Sequence, residues 1–201
     1  MLDYSTGNGR FAIAALEAFP GSRVHATDFQ SEAPPALKTR GDILYFGPEA
    51  LAASANQYDL IILRHVLEHS HDPVSLIAEL GSHLTQDGII YVEVPNLESA
   101  CARLFGSNWQ GWYVPRHIFH FNRMSLEKVI QSAGLDGKVG KTELPQMGNF
   151  IALATGASLH NFWVKLAGGV LHPIQLLIEA LNGSSSCLYA IIKRRTDVPS
   201  R

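Results

Sequence analysis

The stretch that most constrains the fold is Met1–Arg10, which reads MLDYSTGNGR. A short apolar strand end carries an acid, Asp3, followed by small residues and two glycines, Ser5-Thr6-Gly7-Asn8-Gly9. A helical pattern then begins at Arg10, with Phe11, Ile13, Ala14, Ala15, Leu16 and Ala18. Strand, glycine turn and helix in this order form the cradle in which α/β proteins hold phosphates and cofactors. Glycine serves where the backbone turns sharply or touches a ligand, because a Cβ would clash there. A second apolar strand, Arg23–Thr27, ends in another acid, Asp28, nineteen residues beyond Gly9. An acid at the end of the neighbouring strand can accept hydrogen bonds from both hydroxyls of a ribose.

Two readings fit this unit. Gly7-Asn8-Gly9-Arg10-Phe11-Ala12 satisfies the GxGxx(G/A) dinucleotide fingerprint. Asp3, four residues before Gly7, points elsewhere, because a carboxylate at the mouth of the cradle opposes a doubly anionic pyrophosphate. S-adenosylmethionine has no phosphate; it carries a sulfonium and an ammonium, which an acid attracts. The pattern Asp-x-small-x-Gly-x-Gly resembles the first motif of class I S-adenosylmethionine-dependent methyltransferases. That family usually has glycine where this chain has Ser5. The alternatives are an NAD(P)-binding oxidoreductase and a non-catalytic cofactor-binding module, both of which keep the glycine loop. For the first of these, no partner site for hydride chemistry is evident.

With 201 residues, 46% of them apolar, the chain can bury a proper core and suits one domain with an insertion. The net charge is −2 and no basic run occurs before Lys193-Arg194-Arg195, which argues against nucleic acid as a partner. Two cysteines, Cys101 and Cys187, make no disulfide framework and point to a reducing, cytoplasmic setting. Met1 enters the first strand directly. Methyltransferases of this type usually carry helices upstream, so the amino terminus is expected to be clipped. No stretch is expected to be apolar over the ~18–20 residues that crossing a bilayer requires.

Beyond Asp28 runs a proline-bearing link, then an expected strand at Ile43–Phe46 and a short helix at Glu49–Ser54. YDLIIL, Tyr58–Leu63, reads as a strand buried on both faces. Asp72-Pro73 starts a helix, Gly88 ends a connection, and Ile89–Val94 is the next strand. Ser125 is expected to cap a helix ending at Gly134, and Lys138–Leu144 to form a strand. Pro145–Asn182 reads as helical, with breaks at Gly168-Gly169 and His172-Pro173, and Cys187–Ile192 as the last strand.

LDYSTGNGR, VHATD, YDLIILRHVLEHSHDP, GIIYVEVPN and WQGWYVPRHIFHF stand in the order and spacing of class I methyltransferases. The last block resembles a bacterial subgroup with a PRHxxHF segment, whose relatives methylate sugars, lipids, polyketides and quinone precursors. The resemblance covers roughly residues 2–135 and implies a Rossmann-like three-layer sandwich. Its sheet should be mostly parallel and seven-stranded, with an antiparallel last strand. The expected division is a cofactor-binding core over 1–144, a helical insertion or lid over 145–185, and the last strand with a polar tail over 186–201.

The cofactor implied is S-adenosylmethionine, with backbone around Ser5, Gly7 and Gly9 near its methionine portion, Asp3 near its cationic centre and Asp28 on its ribose. Phe29 could stack on the adenine or pack in the core. By resemblance Glu49 meets the adenine edge, and Arg64 and His65 lie near the transferred methyl. By the same resemblance His117, which follows the fifth strand, serves as general base, while His120 packs. Histidine titrates near neutrality and suits that role. Arg116 suits an anionic group on the acceptor. Trp109, Trp112 and Tyr113 suit the wall of an acceptor pocket. His65-Val66-Leu67-Glu68-His69 also matches the H-x-x-E-H signature of inverted zinc proteases, which requires a surrounding helix. A buried-type strand running into His65 and Pro73 close behind argue against it. Some quinone-pathway relatives hold a divalent metal with acids near this place; this chain has no clear acidic cluster, and no metal is expected. The apolar stretch 159–181 is expected to be a lid or a homodimer face ahead of a membrane-surface helix.

Overall fold

The computed structural model describes residues 1–195 apart from Ala157 and Leu159. Leu159, where the apolar stretch is expected to begin, and the polar tail 196–201 lie outside the described residues. One sheet organises the chain: β1 (Leu2–Tyr4), β2 (Val24–Thr27), β3 (Ile43–Phe46), β4 (Tyr58–Arg64), β5 (Leu84–Pro95), β6 (Leu135–Thr142) and β7 (Cys187–Arg194). Their order is β3-β2-β1-β4-β5-β7-β6. The pairs from β3 to β5 are parallel, and β7 runs antiparallel to both β5 and β6. This is the mostly parallel sheet with an antiparallel last strand that the resemblance implies.

Helices cover both faces, as a parallel sheet demands. They are α1 (Arg10–Ala18), α2 (Pro35–Lys38), α3 (Pro48–Ala52), α4 (Pro73–Ser82), α5 (Ala100–Phe105), α6 (Arg123–Ser132), α7 (Met147–Thr155) and α8 (Phe162–Leu181). Leu51, Ile77, Leu80, Leu126 and Ile130 of α3, α4 and α6 pack on β1, β4, β5 and β7 in the main core. Ala12 of α1 and Leu37 of α2 join Val24, Ala26 and Ile43 in a second cluster over β2 and β3. Asp72 caps α4 through the Ser75 N–H at 2.9 Å, with Pro73 in the first turn.

Four local expectations are corrected. The cap of α6 is Asn122, whose side chain accepts from the Ser125 N–H; Ser125 stands three residues in and accepts the Asn122 N–H in return. β5 starts at Leu84 rather than Ile89, because the chain around Gly88 stays paired to β4 across a register shift. β6 runs from Leu135 to Thr142 rather than over Lys138–Leu144, and its glycines serve packing, since a Cβ at Gly140 would lie 2.4 Å from the Tyr189 ring. α8 is one continuous helix through Gly168-Gly169 and Pro173.

That continuity has a consequence for length. α8 spans twenty residues with a mean hydropathy of 1.3 and is long and apolar enough, by length and composition, to cross a membrane. The contrary expectation takes Lys165 and His172 as ends, whereas the helix carries both. One side is tied down: the Gln175 amide donates to the Leu144 carbonyl and accepts from the Gln146 N–H, and Glu179 accepts from Ser184 and the Ala100 N–H. The other side exposes Trp163, Leu166, Val170, Ile174, Leu177 and Leu181.

Gly168 is where α8 meets α7 backbone to backbone: a Cβ there would lie 2.7 Å from Gly148 Cα, while a Cβ on Gly169 meets nothing. Overpacking costs about 1–3 kcal/mol, and alanine in place of a helical glycine gains about 1 kcal/mol. Gly168→Ala should therefore lower the thermal midpoint by a few degrees, and Gly169→Ala should raise it. A calorimetric melt of the two variants checks the contrast.

Candidate active site

Register gathers the first motif. Tyr4 pairs with Thr27 on one side and Leu63 on the other. The next residues of the three strands, Ser5, Asp28 and Arg64, therefore leave the carboxyl edge side by side. Ser5, Gly7 and Gly9 all take left-handed backbone, with φ of 63°, 57° and 80°. A Cβ on Gly9 would also lie 2.6 Å from Leu37 Cγ. Glycine is the ordinary resident of such positions, so Ser5 carries a strain of about 1–2 kcal/mol where the family usually places glycine.

Asp28 closes this turn. Its Oδ2 accepts the Gly7 N–H at 2.7 Å and its Oδ1 the Phe29 N–H at 2.8 Å. A carboxylate has about four acceptor sites, so capacity for ribose hydroxyls remains. Phe29 is 68% exposed, which excludes core packing for its ring. Tyr4, Ser5, Thr27, Asp28, Phe29, Leu51 and Glu79 line a cleft of about 180 Å³ here. Glu49 is an exposed first-turn residue of α3 and does not line this cleft; Leu51 does. Asp3 is buried behind the turn, where it accepts the Thr6 hydroxyl at 2.5 Å. Burial raises its pKa, against the Thr6 hydrogen bond and the charge of Arg64.

Beyond β4, Arg64 lays its guanidinium 5.3 Å over the Phe11 ring and 3.8 Å from Glu93. His65 takes left-handed backbone, φ 55°, which ends the strand and turns the ring back onto the sheet edge. Its Nδ1 lies 3.3 Å from Glu68 Oε1 and its Nε2 3.3 Å from Glu93 Oε1. Burial opposes a charge on this ring, but hydrogen bonds to Glu68 and Glu93, with their charges, outweigh it and raise the pKa to about 9. His65 is therefore a cation at neutral pH. It supplies positive charge and no proton-accepting lone pair at the edge where the resemblance places the transferred methyl.

Leu67–His69 forms a single 3-10 turn rather than an α-helix, so the zinc-protease context is absent here. The Glu68 carbonyl accepts both the Ile118 N–H at 2.8 Å and the Phe119 N–H at 3.1 Å. This contact docks the PRHIFHF segment on the turn and brings His117 over Glu68. The His117 Nδ1 meets the Gly111 carbonyl at 2.7 Å, and its Nε2 stands 3.9 Å from Glu68 Oε1. A carbonyl only accepts, so Nδ1 carries the hydrogen and the neutral ring keeps its lone pair on Nε2. Burial holds the His117 pKa below the usual histidine value. His120 bonds the Trp112 carbonyl through Nε2, as a packing residue does.

His65, His69, Gln110, Gly111, Tyr113, His117, Pro145 and Gln146 line a second cleft of about 400 Å³ on the same edge. Of the expected wall, only Tyr113 lines it. Trp109 is 2% exposed in a core cluster with Cys101 and Met147, and Trp112 packs against that cluster. Arg116 is exposed on the rim, stacked over Tyr113 at 5.3 Å and donating to its hydroxyl. The sequence reading missed Glu93 as the partner of Arg64 and His65, and Gln146 as cleft lining. An acid as the penultimate residue of the expected strand Ile89–Val94 was the one available signal for the first; nothing local marks the second.

The profile of a family described as a methyltransferase domain matches residues 1–137. No curated protein matches the sequence. Among solved structures, the plantazolicin methyltransferase BpumL in complex with S-adenosylhomocysteine superposes with a TM-score of 0.62 at 16% identity, over 96% of this chain and 75% of that one. A SAM-dependent methyltransferase from Archaeoglobus fulgidus gives 0.59 at 20% identity, over 96% and 85%. Magnesium protoporphyrin IX methyltransferase from Synechocystis PCC 6803, with bound S-adenosylhomocysteine, gives 0.52 at 17% identity, over 71% and 67%. At such identities the likeness is one of fold, and it agrees with the strand order found here. The family match extends over more than half of the chain and runs through every strand up to β6. This chain belongs to the methyltransferase domain family and is a class I, S-adenosylmethionine-dependent methyltransferase.

Proposed function

We propose that the chain transfers the methyl group of S-adenosylmethionine to a small molecule held in the cleft of about 400 Å³ between the β4 and β5 loops and the β6–α7 link. The observation that carries this reading is the neighbouring pair of clefts at one sheet edge. One presents the glycine turn and Asp28; the other presents the His117 Nε2 lone pair. Asp28 takes the ribose, Phe29 the adenine, and backbone from Ser5 to Gly9 the methionine portion. His117 meets the acceptor's proton as the methyl passes in line, while Tyr113 and Arg116 form the rim over the acceptor. Positioning of this kind is worth up to ~7–11 kcal/mol in good intramolecular cases.

Sugars, lipids, polyketides and quinone precursors are the acceptor classes to try first. Two solved structures that this chain resembles are named as methyltransferases of plantazolicin and of magnesium protoporphyrin IX. Both cysteines are free and buried, in keeping with a reducing cytoplasmic compartment. A screen of these acceptor classes for S-adenosylhomocysteine release tests the reading. Turnover with one class supports it, and release from none of them, with cofactor bound, refutes it.

Asp28→Ala should weaken S-adenosylhomocysteine binding more than tenfold, about 1.4 kcal/mol, by calorimetric titration. Unchanged affinity would remove the ribose assignment. His117→Ala should lower turnover by ~10²–10⁴-fold while cofactor affinity stays as it is. Full activity in that variant would remove His117 from the acceptor's path.

A further inference from the structure

We propose that Glu68, His69 and His117 form a binding site for one divalent transition-metal ion at the floor of the acceptor cleft. One ligand atom from each of the three lies within 4.8 Å of the other two. A metal about 2.0–2.2 Å from each donor wants donor atoms about 3–4 Å apart. His117 Nε2 and Glu68 Oε1 already stand at 3.9 Å.

Two independent features say that these donors are prepared. Each histidine has Nδ1 against a backbone carbonyl, His69 on Arg116 at 2.8 Å and His117 on Gly111 at 2.7 Å. The Nδ1 hydrogens are thereby fixed, and both Nε2 lone pairs are left for a ligand. This is the outer support that metal-binding imidazoles ordinarily have. The second feature is Glu68 itself, 1% exposed, with Oε2 buried and without a hydrogen-bond partner. A buried carboxylate oxygen left in that state is costly, and a cation removes the deficit.

The H-x-x-E-H motif is thus used in part. Glu68 and His69 are ligands, the third comes from the PRHIFHF segment, and His65 holds Glu68 from the side through Nδ1. Two imidazoles and one carboxylate suit zinc, iron, cobalt, nickel or manganese over magnesium or calcium. Three protein ligands leave positions open, and His69 and His117 face the cleft. The metal-loaded site therefore favours an acceptor with an oxygen pair able to chelate, such as vicinal hydroxyls; this last step rests on the function proposed above. Coordination takes up the His117 Nε2 lone pair, so in the metal-loaded site the ion, in place of His117, acidifies the hydroxyl, which gives its proton to solvent. Its oxygen then bonds the methyl carbon as the carbon–sulfur bond breaks, and the sulfonium becomes a neutral thioether.

The test uses the whole chain without an affinity tag, stripped with a chelator and titrated with Co²⁺ while visible absorption is followed. One equivalent should bind and give d–d bands, and Zn²⁺ should displace it. His69→Ala, at a partly exposed position, and Glu68→Gln should each weaken Co²⁺ binding at least tenfold, whereas His120→Ala should bind as the parent does. No stoichiometric binding, or unchanged binding in a folded His69→Ala variant, overturns the metal site. S-adenosylhomocysteine titrated into the same samples separates the two claims. Cofactor binding without metal binding sinks this inference alone, and failure to bind cofactor sinks the proposed function.

Discussion

The short central strand β1 is the constraint on which the site depends. Its three residues pair in parallel on both sides, with β2 and with β4. Parallel pairing in register means that all three chains leave the sheet at the same edge. Asp28 can then meet the Gly7 N–H across twenty-one positions of sequence, and Arg64 can meet Phe11. An antiparallel neighbour on either side would have sent one of these groups to the opposite edge. Apolar β4 makes the arrangement affordable, since Ile61 and Leu63 are out of solvent on a strand covered from both sides.

Strain gathers at the same edge. Among the described residues, the non-glycine positions with positive φ are Ser5, His65 and Tyr113, and each begins a loop of the site. Conformations of this kind cost of order 1–3 kcal/mol each and persist only where the surroundings over-determine them. The surroundings here can be named. The turn after Ser5 is closed by Asp28, His65 is held between Glu68 and Glu93, and the Tyr113 carbonyl accepts from the Arg116 and His117 N–H groups. Pre-paying such strain in folding fixes the site before a ligand arrives.

The sequence made plain what is local. The bounds of β3, the Asp72 cap and the glycine turn follow from neighbours a few residues apart, and they stand as expected. The choice between phosphate and sulfonium could be argued from Asp3 alone, and the family match agrees with it. What the sequence hid was set by distant partners. Gly137, left out of the expected strand Lys138–Leu144, belongs to β6, where Ile130 occupies the space a side chain would need, as Tyr189 does at Gly140. Gly168 looks like a break until Gly148 of a second helix packs against it. Glu93 is one more residue of the expected strand Ile89–Val94 until His65 bends back to meet it.

The histidines show the same limit in the chemistry. Two histidines four residues apart face one way only if the chain between them is helical. Here His65 has φ 55°, the helix never forms, and the two rings part company. One goes to the carboxylates under β5 and becomes a fixed cation; the other turns to the cleft with its Nδ1 on the Arg116 carbonyl. His117 joins His65 beside Glu68 because the Glu68 carbonyl takes two N–H groups from the segment that carries it. One main-chain oxygen, accepting at 2.8 and 3.1 Å, thus decides which histidine does which work. No motif spacing encodes that bond, since it joins turns fifty residues apart and exists only once β4 and β5 lie side by side.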